Sequence, residues 1–118
     1  MPFTPALLVL WLWLTPAQGP SEPPPAAAAP DLAAGRALAA ARCGSCHAID
    51  AADASAHPEA PPLRELHRRY PVETLQEALG EGILVGHPDM PEFAFEPQQI
   101  GDLIAWLKSL EPDAEAGR

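Results

Sequence analysis

Both cysteines of this chain lie in one five-residue stretch, Cys43-Gly44-Ser45-Cys46-His47. Two thiols three residues apart at a helix end can add to the two vinyl groups of one porphyrin. The imidazole that follows then falls beneath the iron. Three other chemistries use parts of the same pattern. A thioredoxin-like dithiol would stand in a βαβ context, and no strand signal flanks these residues. A structural disulfide has no use for the histidine. A zinc site needs a fourth ligand, and His57 is the only nearby candidate. The C-x-x-C-H order therefore points to one covalently attached haem c, with Cys43 and Cys46 as thioether donors and His47 as an axial ligand of the iron.

A six-coordinate haem iron needs a second axial ligand. Of the two methionines, Met1 belongs to the N-terminal apolar segment, which leaves Met90. It sits in His87-Pro88-Asp89-Met90-Pro91-Glu92-Phe93, a proline- and charge-rich stretch that is poor core material. His87 is the rival ligand, whereas His57 and His67 read as surface residues. Thioether ligation favours the reduced iron and raises the potential, as a mid- to high-potential carrier requires.

These residues need a scaffold, and the chain offers a thin one. Of its 118 residues 47% are nominally hydrophobic, but 23 are alanine. Between Asp31 and Leu110 there are only 21 large apolar or aromatic residues. A protein-only core of that size is marginal and calls for a staple. The length excludes multi-domain enzymes, barrels and large nucleotide-binding folds. Sixteen acids against seven bases give a net charge of −9, which excludes nucleic acid as a natural partner.

The domain organisation follows from composition. Residues 1–17 carry no charged side chain and contain a nine-residue apolar run from Ala6 to Leu14. That length fits the apolar region of a signal peptide and falls short of the roughly 20 residues that span a bilayer. Cleavage is expected after Ala17, since cleavage after Gly19 would leave Pro20 behind the scissile bond. Export to the periplasm follows, with membrane contact only if the segment is retained as a tether. Residues 18–30 are a Pro/Ala-rich flexible linker. The haem domain occupies 31–110, and 111–118 form a flexible acidic tail.

Within the domain the sequence reads as all-α. Asp31 can N-cap a helix running from Leu32 into the Cys43 region. Pro71 suits the first position of a second helix, with Val72, Leu75 and Leu79 on one face and Gly80 and Gly82 ending it. A third starts at Glu96-Pro97, carries Ile100, Leu103, Ile104 and Leu107 at helical spacing, and stops before Pro112. A shorter stretch runs from Leu63 to Tyr70, with Leu63, Leu66 and Tyr70 on one side. Asp50 to Ala56 reads as a mobile loop. The glycines of Gly80-Glu81-Gly82-Ile83-Leu84-Val85-Gly86 do not make a dinucleotide loop, because the third is one residue late and no strand precedes it. Ile83, Leu84 and Val85 are better placed to wall the haem and exclude water.

With these residues in view, the chain resembles the class I c-type cytochromes, in particular the small monohaem cytochromes of bacteria. The resemblance covers about residues 31–110. It is carried by Cys43-Cys46-His47, Ala60-Pro61-Pro62-Leu63, Met90-Pro91, and Leu103 and Trp106 on the last helix. It implies the cytochrome c fold, three main helices plus a short one around the haem. Gly35 stands where the family keeps a glycine for close crossing of the first and last helices, and Trp106 where it keeps an aromatic at that crossing. Ala39 departs from the pattern, standing where an aromatic often packs. Pro61 matches the proline whose carbonyl accepts the proximal histidine's ring N–H and fixes its tautomer. The resemblance also implies filled axial positions, hence no catalytic residues, no small-molecule substrate and no enzyme.

The function implied is a periplasmic carrier of one electron on a His/Met-ligated haem c. The alternative is a dedicated haem-bearing subunit of a periplasmic or membrane-bound oxidoreductase. An enzyme or gas sensor would need the Met90 position vacated. The domain carries twelve acids and six bases, so its redox protein partners should present basic docking surfaces. Arg64, Arg68 and Arg69 form a local basic cluster, read as a solvated helix face or a contact for a propionate or a partner.

Overall fold

The computed structural model describes residues 26–82 and 87–113, together with Met1 and Gly19. Apart from Met1, the expected signal segment lies outside the described residues, as do most of the linker, Ile83 to Gly86 and the end of the tail, and with them the expected haem-walling role of Ile83, Leu84 and Val85. Among the described residues the secondary structure is helical, with no strand. No helix there is long and apolar enough to cross a membrane.

The first helix, α1, spans Leu32–Arg42. Asp31 keeps an extended backbone and its carboxylate accepts the N–H groups of Ala33 at 2.8 Å and Ala34 at 3.1 Å. These are two of the donors that a helix N-terminus leaves without intrahelical partners. Arg42 stands in the last turn, where a cation complements the helix dipole. The face that α1 buries is unusual in having almost no side chain: it consists of Gly35 and Ala39.

Two short 3₁₀ turns follow, Leu63–Arg68 and Val72–Thr74. The first buries Leu63 and Leu66, but Tyr70, expected on the same side, is 39% exposed. A 3₁₀ turn has three residues per repeat, so positions 63 and 66 share a face until the turn ends. Pro71 precedes the second turn with ψ 126°, an extended value, and so caps the turn instead of starting a helix. Its carbonyl accepts the Thr74 hydroxyl at 2.7 Å. Helix α2 then spans only Leu75–Glu81. Gly80 lies inside it, and the stop comes from Gly82 alone, which takes a left-handed φ of 73°.

Helix α3, Pro97–Ser109, has the best-defined start of the three. Glu96 and Gln99 form a reciprocal capping box with Pro97 in the first turn. Leu103, Ile104, Trp106 and Leu107 are buried on this helix. They meet Ala39, Leu63, Leu66, Val72 and Phe95 in one cluster, with Leu38, Leu75, Leu79 and Ile100 packed at its edge. Among the described residues Val72 is the only large side chain that is fully enclosed. Lys108 of α3 hydrogen-bonds Glu73, tying the second 3₁₀ turn to α3. The bond holds the Glu73 carboxyl below its ordinary range and the Lys108 ammonium above its own.

One buried acid organises the crossing of the first and last helices. Asp102 of α3 is 7% exposed, and its Oδ1 accepts the backbone N–H of Asp31 at 2.8 Å and the side-chain amide of Gln98 at 2.8 Å. The residue that caps α1 is therefore itself held by α3.

Candidate functional site

The carbonyl of Ala39 accepts the N–H of Cys43 at 2.8 Å and that of Gly44 at 3.0 Å, which closes α1 with a widened turn. The carbonyl of Cys43 then accepts from Cys46 at 3.1 Å and His47 at 2.9 Å, making one further helical turn. This turn brings Cys43, Cys46 and His47 onto the same side of the chain. Gly44 has no room for a side chain: a Cβ there would stand 2.5 Å from the Ala40 carbonyl oxygen.

The His47 ring is fixed from behind. Its Nδ1 lies 2.7 Å from the Pro61 carbonyl oxygen. A carbonyl can only accept, so Nδ1 carries the proton and Nε2 keeps its lone pair, the state required of a metal ligand. The Pro61 segment is held in turn by the Leu63 N–H, which donates to the Ala48 carbonyl at 3.0 Å.

A cleft opens at these residues. It spans about 680 Å³ of empty space, open solvent at its mouth included, and its lining is mostly apolar. Cys43, Cys46, His47, Pro61 and Met90 all line it, so the five site residues expected from sequence come together in one place. His87, the rival ligand, lines it as well. Met90 is half-buried and follows a turn closed by its own N–H on the His87 carbonyl at 3.1 Å. Phe93 completes this wall and stacks on Phe95, with ring centroids 5.3 Å apart.

The Cys43 thiol is poorly suited to ionic chemistry. Burial, with the Cys46 sulfur beside it, pushes the Cys43 thiol up to about 11. Such a thiol stays neutral at pH 7, unlike the thiolates of dithiol oxidoreductases. Among the described residues no three His, Cys, Asp or Glu side chains converge as a metal-binding cluster, so the zinc reading finds no ligand set.

A sequence model of the family described as cytochrome c matches residues 32–111. The chain belongs to the cytochrome c family. Cytochrome c-552 of Bradyrhizobium diazoefficiens is similar, 34% identical over 86 residues that cover 73% of this chain and 81% of that protein. No solved structure matches the chain. As a cytochrome c the protein carries covalently bound haem c with its iron and serves haem-based electron transfer. The residues present fit that group. A mainly apolar cleft holds two free thiols at C-x-x-C-H spacing and an imidazole whose free nitrogen is Nε2.

Sequence reasoning missed several residues around the cleft. His57, read as a surface residue, is half-buried and lines the cleft together with Asp89. Its ring lies 3.2 Å from the Asp89 carboxylate. Nothing in a lone histidine ten residues after the motif announces such a role. The Asp50 to Ala56 segment is also tied more firmly than a mobile loop. Arg64 donates to the carbonyls of Asp50 at 2.9 Å and Asp53 at 3.0 Å, and Arg36 pairs with the Asp50 carboxylate at 2.6 Å. The Ser55 hydroxyl accepts the Ala48 N–H at 3.0 Å. Arg64 is thus occupied in pinning this loop, while Arg68 and Arg69 are exposed.

Proposed function

We propose that this cytochrome c is an exported carrier of single electrons whose iron is held between His47 and Met90. The observation that carries this reading is the meeting of Cys43, Cys46, His47 and Met90 on one apolar cleft. When bound, the haem supplies a one-electron ferrous/ferric couple. The chain's own residues do the rest. Cys43 and Cys46 anchor the group, and the Pro61 carbonyl holds the His47 ring in the ligating tautomer. Phe93 and the apolar lining limit water beside the iron, which together with the Met90 thioether raises the potential.

The deciding experiment is an optical spectrum with redox titration of protein matured in a periplasm. A sulfur-to-iron charge-transfer band is expected, and Met90→Ala should abolish it, lower the potential and let carbon monoxide bind the ferrous protein. A Met90→Ala protein with an unchanged spectrum would sink the ligation. The mature chain in the same preparation should begin at Gln18, as expected of a signal peptide over 1–17, a linker over 18–30 and a haem domain over 31–110. An intact N-terminus would instead leave the protein tethered to the membrane.

The surplus of acids over bases supports redox partners with basic docking faces. Electron exchange with a basic redox protein should therefore slow several-fold as ionic strength rises from about 0.01 to 0.15 M, over which the Debye length shrinks from about 30 to 8 Å. Stopped-flow rates that rise with salt would contradict this.

A further inference from the structure

The His57–Asp89 hydrogen bond joins the two walls of the cleft. The His57 end is anchored to the haem-attachment segment, because its backbone N–H donates to the Cys46 carbonyl at 3.1 Å. Its ring is oriented by a second bond, in which the Glu59 N–H donates to Nδ1 at 3.2 Å. A nitrogen that accepts carries no proton in the neutral ring, so Nε2 is the N–H that donates to Asp89 Oδ2 at 3.2 Å. The other end stands directly before Met90 in the chain. Among the described residues this is the only side-chain hydrogen bond that reaches the 87–95 segment from elsewhere in the fold.

We propose that the His57–Asp89 pair is a clasp that holds the Met90 segment to the haem-attachment segment, making both residues positioning residues for the sixth iron ligand. The inference rests on the His47/Met90 reading of the site. Its physical basis is local. Met90 lies in a stretch with two prolines, where the backbone offers few hydrogen bonds of its own: Pro88 and Pro91 have no N–H to give. A tie one residue from the ligand limits the motions that would carry the thioether off the iron. Asp89 is exposed and His57 is half-buried, so the bond belongs with modest ones. The expected effect is about two- to tenfold on ligand exchange rather than loss of the fold.

Imidazole titration of the ferric holoprotein tests this, since imidazole must displace the thioether and the charge-transfer band reports it. His57→Ala and Asp89→Ala should each raise the apparent imidazole affinity about two- to tenfold. The double variant should gain no more than either single one, because both remove the same bond. His57→Gln, whose amide can still donate to Asp89, should return most of the original resistance. Unchanged affinity in both single variants, or gains that multiply in the double variant, would overturn the clasp. Met90→Ala run alongside separates the two readings. If it abolishes the band while the His57 and Asp89 variants behave like the parent, the clasp alone fails. If it leaves the band intact, the ligation fails and the clasp with it.

Discussion

A chain carrying Cys43→Ala and Cys46→Ala together is expected to emerge without covalent haem and largely unfolded. Two features of the fold dictate this. The buried apolar cluster is small, and on α1 its contribution is Ala39 rather than a large side chain. The cleft beside it is apolar-lined space that side chains do not fill. A domain of this size buries too little surface to offset the entropy of ordering its chain without an added group. A covalent haem fills that role, and its free energy of packing counts wholly toward the folded state because it cannot dissociate. Far-UV circular dichroism should show most of the helical signal gone, and denaturant titration should show no cooperative transition. A haem-free double variant that unfolds cooperatively with the helicity of the parent would show that the protein core suffices.

The parts of the molecule legible in the sequence are those set by local chemistry. Asp31 before an alanine-rich run marked a cap, and Glu96-Pro97 marked the start of a helix. C-x-x-C-H named its cofactor, and Met90 stood out because its neighbours were unfit for a core. What escaped depends on partners distant in sequence. Leu63 and Leu66 are three apart, a spacing common to 3₁₀ and α geometry, and only the flanking Pro62 and the exposed Tyr70 show how short that turn is. Pro71 could start a helix, but its carbonyl serves Thr74 and its backbone stays extended. The burial of Asp102 follows from an N–H 71 residues away. His57 likewise gains its meaning from Asp89, 32 residues further on. Alternation and caps reveal none of these.

Gly35→Ala should be among the most damaging single substitutions in the haem-loaded protein, although alanine is the better helix former. In an exposed helix interior the exchange would stabilise by about 1 kcal/mol. At Gly35 an added Cβ would lie 2.1 Å from the Asp102 carbonyl oxygen, 2.6 Å from its carbon and 2.9 Å from Trp106 Cβ. None of these is the movable end of a flexible side chain. Relief requires α1 and α3 to separate by about 1 Å, which would loosen the Asp31–Asp102 bond and the packing of Trp106 and Ala39 together. Overpacking of this kind costs about 1–3 kcal/mol, and more where backbone is the obstacle. The clash outweighs the propensity gain, and a net loss of about 2–3 kcal/mol is expected from the denaturation midpoint. Gly101→Ala is the matched comparison, because a Cβ there meets nothing within 4 Å. It should be neutral or raise stability by up to about 1 kcal/mol. A Gly35→Ala protein as stable as its Gly101→Ala counterpart would mean that the helices do not cross at this glycine.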